Sequence, residues 1–480
     1  MRSDGLARLT RRDAIVGAAA AALATSAIPA QGAQRSRPLP TLDGELRFDE
    51  ATRRAAADDF GHLVHRAPEA VLFAASRDDV AKTILWAGRR GLKFAARGNG
   101  HSTFGRSQVE HGIVADMSRL RTIGAVEGDR IVVEAGAKWS EVLDVTLARG
   151  MTPPVLTDYL ELSVGGTLVV GGVGGTTSAF GVQADNVIEI EVVTGAGETI
   201  VCSAEHHPHL FDAVRAGLGQ VGVVTQATLE LVQAPQSVRR FLLAYPDLGT
   251  MLAEARALAS DDRFDAVQGA IRAAPGDGFD FRLDVANFDA EPPDDSKLLA
   301  GLSDDAARRE AMTTPYRGYL ERLAPLEAAL RANGQWHFPH PWLTTFIGDR
   351  QVESVVTAEL AALKPPADLG PLGQIVLSPL RTSAISSPLL RMPSDELSYA
   401  FNLVRLPATD DRRAAGRLVE ANKATYRRIK AAGGTLYPVS ALALSRRQWR
   451  DHFGPAFVQL EAAKRRFDPN DTLTPGYEVF

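Results

Sequence analysis

Apolar positions change their spacing along this chain, and each change marks an element. Val80, Ile84 and Ala87 recur at helical intervals. Ser76-Arg77-Asp78-Asp79 before them offers an N-cap and an acidic first turn, and Gly91 closes the helix. A short apolar run over residues 92–96 then has the length of a buried strand, and residues 113–116 and 131–134 repeat that pattern. Trp139, Leu143 and Leu147 share one helical face that ends at Gly150. Residues 187–193 and 199–202 flank Thr194-Gly195-Ala196-Gly197 and predict a β-hairpin. A helix over 210–216 leads through the glycine-rich turn 217–222 into a strand ending near Leu231.

Gln233-Ala234-Pro235-Gln236 interrupts this texture and marks a boundary. Strands over 241–245 and 279–288 and a helix around 252–258 follow it. Residues 291–295 and 364–367 are proline-rich surface loops, and Trp336-His337-Phe338-Pro339-His340-Pro341-Trp342 is an aromatic, rigid segment.

Two stretches fit none of these periods. Arg97-Gly98-Asn99-Gly100-His101-Ser102 follows the strand at 92–96. Glycines let a backbone approach a ligand closely, and successive amides in such a turn form a nest for phosphate. The loop therefore predicts a dinucleotide cofactor. Phosphate binding does not require a histidine, so His101 has a further role. The second stretch, residues 165–175, holds six glycines threaded with Leu168, Val169, Val170 and Val173. Polar flexible linkers lack such residues, and so many glycines argue against a helix or strand interior, so this backbone is expected to wrap a ligand.

Composition narrows the class. The 480 residues are 45% hydrophobic and 23% charged, an ordinary globular mixture long enough for more than one domain. A formal net charge of −5 argues against nucleic acid as a partner. The single cysteine, Cys202, excludes an intrachain disulfide and any cysteine-based metal site. His206-His207-Pro208-His209 is read as a surface turn, so no metal site is expected. At the N-terminus, Arg2, Arg8, Arg11 and Arg12 precede an alanine-dense run, 14–24, too short to span a bilayer. Thr10-Arg11-Arg12-Asp13-Ala14-Ile15-Val16 resembles a twin-arginine export signal. That route carries folded proteins, which suits a tightly held redox cofactor and implies a periplasmic or secreted product without a membrane span.

With these residues set out, the chain resembles the FAD-linked oxidase superfamily of the vanillyl-alcohol oxidase (PCMH) type, and within it the cytokinin dehydrogenases. The matching stretches are residues 96–102, 147–150, 157–168, 210–213, 217–220, 339–343, 452–454 and 467–469. The resemblance implies an α+β, two-domain PCMH-type FAD-binding fold with an inserted antiparallel-sheet substrate domain. Its segments would be an export signal over 1–33, an FAD-binding part over 34–235, a substrate part over 236–431 and a C-terminal return over 432–480. It implies FAD bonded covalently through His101, with cofactor contacts at Arg97, Gly98, Asn99, Gly100, Ser102, Asp158, Ser163, Gly165, Gly166, Thr167, Gly174, Gly175, Val223 and Tyr477. Cys202 lies on a hairpin strand away from these, so attachment through one residue is expected.

Asp158 matches the family's catalytic aspartate. Pro153 and Pro154 before it and the apolar glycine segment after it predict burial, which would raise its pKa and suit it to general-base work. Asp284 stands where the family has a glutamate at the substrate-cavity mouth. Tyr477 replaces a family glutamine, and Tyr437 falls out of register with a family tyrosine near the flavin. The implied reaction moves a hydride from a carbon next to an amine or hydroxyl to flavin N5, with oxygen or a quinone as electron acceptor. An N6-isoprenoid cytokinin is the first candidate substrate. A sugar or alcohol oxidase, or an exported flavin-binding protein without turnover, are the alternatives on the same fold.

Overall fold

The computed structural model describes residues 39–276, 278–288 and 294–480. The export signal expected over 1–33 lies outside them. Ser76 acts as its position predicts: its hydroxyl accepts the Asp79 amide, and the helix Arg77–Gly88 follows with Val80, Ile84 and Ala87 fully buried. That helix covers a small sheet of β1 (Glu45–Arg47), β2 (Ala70–Phe73), β3 (Phe94–Arg97) and β4 (Ile113–Asp116). Its strand order is β1-β2-β4-β3, and β2 and β3 both run parallel to β4.

A second sheet follows, built from β5 (Ile123–Glu127), β6 (Arg130–Glu134), β8 (Val187–Thr194), β9 (Thr199–Ser203) and β10 (Gly222–Glu230). It is antiparallel in the order β5-β6-β10-β8-β9, and β8 and β9 form the expected hairpin. The short strands β7 (Met151–Thr152) and β11 (Val232–Gln233) pair with each other. Beyond Pro235 the chain changes sheets. The strands β12 (Ser237–Tyr245), β13 (Ala266–Ala273), β14 (Phe279–Asn287), β15 (Glu310–Pro315), β16 (Leu343–Gly348), β17 (Gln374–Arg381), β18 (Leu397–Val404) and β19 (Thr435–Leu436) form one eight-stranded sheet. Its order is β15-β12-β14-β13-β17-β18-β16-β19, antiparallel at every pairing. The chain leaves that sheet after Leu436, a few residues later than the expected boundary at 431.

The C-terminal return is clamped by one buried charge cluster. Lys464 Nζ donates to Asp468 Oδ2 at 2.7 Å and to the Gln220 carbonyl at 3.1 Å. Asp468 in turn accepts the amides of Thr472 and Leu473, each at 2.9 Å. Phe94 then donates its amide to the Thr472 carbonyl at 2.7 Å and accepts the Thr474 amide at 2.8 Å, beside β3. Residues more than 350 positions apart are thus tied into one wall.

Candidate active site

A cavity of about 400 Å³ opens where the first two sheets meet one face of the eight-stranded sheet. All positions assigned from the sequence line it except Arg97, Gly175 and Asp284. One wall is the loop after β3. Two of its carbonyls are engaged: Gly100 accepts the Phe60 amide at 2.9 Å and Ser102 accepts the Gly61 amide at 3.0 Å. The amides of Asn99, Gly100, His101 and Ser102 donate to no partner among the described residues. These residues line the cavity with their amides unpaired, so the row fits an anionic group such as a diphosphate. Asp59 braces the loop from behind, accepting from the Ser102 hydroxyl and the Gly105 amide, both at 2.6 Å.

Glycine is required at two points of the loop. A Cβ on Gly98 would lie 1.9 Å from Ser163 Oγ, and Gly100 has a φ of +66° with the Arg97 guanidinium beneath it. That explains why Arg97 does not reach the cavity. Its side chain folds under Gly100 and donates to the Asp58 carbonyl at 2.6 Å.

The second wall departs from one expectation. Gly165 and Gly166 lie inside a single helical turn, Val164–Leu168, and not in an irregular wrap. The turn is pinned from outside: Val164 and Gly165 donate to the carbonyls of Ala137 and Ala135, each at 2.9 Å, and Trp139 Nε1 donates to Thr167 Oγ1 at 2.9 Å. A Cβ on Gly165 would meet that of Ala135 at 2.7 Å, so glycine here serves close packing despite its helix penalty. The irregular path begins at Gly171. There the Gly172 amide donates to the Tyr437 hydroxyl at 3.1 Å, which brings Tyr437 to the cavity although its sequence register suggested otherwise. Gly175 turns away, towards Ala266 and Tyr319. Tyr477 lines the cavity with its ring 4.7 Å from the Arg106 guanidinium.

His101 sits in an aromatic column. Its ring stacks on Phe60 at 4.0 Å and on Tyr159 at 4.6 Å, and Phe60 stacks in turn on His340 at 4.1 Å. Trp336 leans against His101 and Phe60. The ring nitrogens of His101 form no hydrogen bond with the described residues. Burial, with the nearby His340 and Arg331, pushes its pKa down to about 3, so the imidazole is neutral at neutral pH. Phe60, Tyr159, Trp336 and His340 had no assigned role in the site; the aromatic segment 336–342 was visible, but not what it packs against.

Asp158 is held from two sides. Its Oδ1 accepts from Arg322 Nη2 at 2.5 Å and its Oδ2 from Gln268 Nε2 at 3.1 Å. About a third of its side chain, 36%, remains exposed at the cavity wall. Burial pushes its pKa up, but the Arg322 charge and the two hydrogen bonds outweigh it, so the net direction is down. That reverses the expected rise: Asp158 is an ionised acceptor. Asp284 is also displaced from its expected place. Both its oxygens accept from Arg240, at 2.7 and 2.6 Å, on the neighbouring strand. Its cross-strand partner Gln268 takes the cavity position, one strand nearer the centre of the sheet. Cys202 is buried on β9 away from the cavity, its thiol pushed up to about 12 by burial. His206, His207 and His209 are exposed, and no cluster among the described residues could hold a metal ion. No helix among the described residues is long and apolar enough to cross a membrane.

Residues 68–203 match the FAD binding domain family, and residues 296–480 match the family described as cytokinin dehydrogenase 1, FAD and cytokinin binding. An uncharacterized oxidoreductase of the fasciation locus of Rhodococcoides fascians is 38% identical, covering 91% of this chain and 99% of that protein. Cytokinin dehydrogenase 4 of Oryza sativa subsp. japonica is 32% identical over 92% of this chain and 90% of its own length. Among solved structures, 6-hydroxy-D-nicotine oxidase from Arthrobacter nicotinovorans superposes with a TM-score of 0.73 at 21% identity, covering 92% of this chain and 98% of that one. The BBE-like 1 protein of Physcomitrella patens gives 0.72 at 16% identity, covering 91% and 97%. These two share the fold.

Three histidines with lowered pKa make stability depend on pH. Burial lowers the pKa of His101 to about 3, His340 to about 4 and His452 to about 3, from an ordinary 6.5. Below the ordinary value the unfolded chain binds protons that the native chain refuses, so stability is full above it and falls as pH drops towards 4. The raised pKa of buried Asp59 opposes this with a single proton. The urea midpoint should therefore be lower at about pH 5 than at about pH 7.5, with net proton uptake on unfolding; equal midpoints would contradict it.

Proposed function

We propose that this chain, which belongs to the cytokinin dehydrogenase family of FAD-dependent oxidoreductases, oxidises a substrate carbon that stands next to an N–H group, with an N6-isoprenoid adenine as first candidate. The observation that carries the reading is the ionised Asp158 carboxylate at the wall of the cavity that the unpartnered 99–102 amides also line. FAD, when bound, supplies the two-electron oxidation by accepting a hydride. The free amides of Asn99 to Ser102 suit its diphosphate. Asp158 orients the substrate by accepting a hydrogen bond from its N–H and holds the proton released there. Val376, Ala400 and Trp342 supply apolar surface around the reacting carbon, and Gln268 and Asn402 supply polar ends.

Covalent attachment belongs to the same reading. His101 offers a neutral imidazole whose nitrogens have no competing partner and whose plane is held by two stacked rings, which favours bonding to the flavin 8α-methyl group. Export by the twin-arginine route is part of it too, since a tethered cofactor is not lost outside the cytoplasm.

Anaerobic mixing with isopentenyladenine should bleach the flavin; a sugar or alcohol oxidase would stay yellow. Asp158→Asn should slow bleaching by about 100-fold or more while FAD content is retained. Acid-precipitated protein should keep its colour and show a fluorescent band on a denaturing gel, and His101→Ala should lose that band. Lysine at Arg11 and Arg12 together should leave the protein in the cytoplasm; unchanged export would end that part of the proposal.

A further inference from the structure

Two arginines and a second acid lie behind Asp158. Arg322 lies with its guanidinium 4.5 Å from the ring centroid of Tyr319 and only 12% of its side chain exposed. It donates to Asp158 and is attracted by Asp284 as well. Asp284 is already paired through both oxygens with Arg240. Gln268, between Asp158 and Asp284 on the sheet, is neutral. Arg322, Arg240 and Gln268 act on the Asp158 carboxylate, Tyr319 lies against Arg322, and Asp284 acts on Arg322; the two arginines balance the two acids, Asp158 and Asp284. Without a cation, the partial burial of this carboxylate would raise its pKa. One with a close guanidinium keeps its charge and loses its rotational freedom.

We propose that Arg322 is the positioning residue of this site: it fixes Asp158 in one rotamer and in its ionised form, and the Arg240–Asp284 pair keeps Arg322 available by satisfying the competing carboxylate. The proposal rests on the reading of Asp158 as the substrate-facing carboxylate. Its consequence is that Asp158 stands ionised as the acceptor of the substrate N–H and takes that proton only as it is released, without titrating near neutrality in the free enzyme. Arg322 itself does not touch the cavity, so its effect passes through Asp158 alone. Tyr319 supports the guanidinium through its ring face, which accounts for an arginine in place of a lysine at this depth.

The test uses substrate-free holoenzyme labelled with carboxyl-13C aspartate, the Asp158 signal being assigned by its loss in Asp158→Asn. In the unaltered protein the Asp158 signal should stay that of a carboxylate from about pH 8 down to about pH 4. In Arg322→Gln its titration should move up by about one unit or more, and Arg322→Lys should recover most of that displacement. Arg240→Met, which frees Asp284 to compete for Arg322, should give a smaller upward displacement, and it carries the test if Arg322→Gln does not fold. In anaerobic flavin reduction by isopentenyladenine, the acid limb of the rate should move with the same titration. An Asp158 signal that titrates at the same pH in Arg322→Gln or, failing that, in Arg240→Met would overturn the proposal. Failure of isopentenyladenine to reduce any variant would instead count against the substrate reading, since the carboxylate titration needs no substrate.

Discussion

The structure depends on a division of labour within one short loop. Between Gly98 and Ser102 the carbonyls of Gly100 and Ser102 are taken up by the amides of Phe60 and Gly61, while the amides of residues 99–102 are left over. A loop whose backbone pairs all use carbonyls and leave four successive amides over has a polarity. The four amides belong to residues that line the cavity, where they are free to serve an anion. Asp59 sustains the arrangement by holding Ser102 and Gly105 from behind, and Arg97 props Gly100 from beneath. The same pairing brings Phe60 against His101. Backbone accounting and aromatic stacking are thus two results of one contact between segments 59–61 and 98–102.

The cavity opposes two electrostatic regimes. On the loop side, fixed dipoles and a neutral imidazole favour anions. On the side of the eight-stranded sheet, a carboxylate is neutralised locally by arginine. Without Arg322, the partial burial of Asp158 would push its pKa up and weaken it as an acceptor. The ion pair makes it an acceptor, and the loss of charge to the partner keeps the wall from repelling an anionic cofactor across the cavity. Neither effect belongs to one residue.

Much of this was legible where the cause was local. Ser76 and two acids announce a helix because capping is decided within four residues, and Thr194 to Gly197 announce a hairpin for the same reason. The nest at 97–102 was legible as glycine chemistry, and Asp158 through its surrounding motif. What failed to show had causes remote in sequence. Arg322 is 164 positions from Asp158, and its effect reversed the direction in which burial alone shifts the carboxyl. Phe60 and His340 complete the His101 column from 41 positions before it and 239 after it; the aromatic segment around His340 stood out, but not that it packs on Phe60 beside His101. Gly165 and Gly166 read as a breaker because helix propensity is a solitary property, whereas the turn they occupy is held by Ala135, Ala137 and Trp139.

The exchange of Asp284 for Gln268 shows why strand registers resist this kind of reading. The two residues are direct cross-strand partners, so they share a face and look equally suited to a cavity wall. Only the strand order decides: β13, which carries Gln268, lies between β14 and β17, and β17 brings Val376 and Ser378 to the same cavity. β14 lies one step outward, beside β12 and its Arg240. An acid there meets an arginine and becomes structural. A carboxamide on β13 meets Asp158 and the substrate side. The position nearest the chemistry is therefore neutral, and the acid expected there acts from the second row, by occupying Arg240 and leaving Arg322 to Asp158.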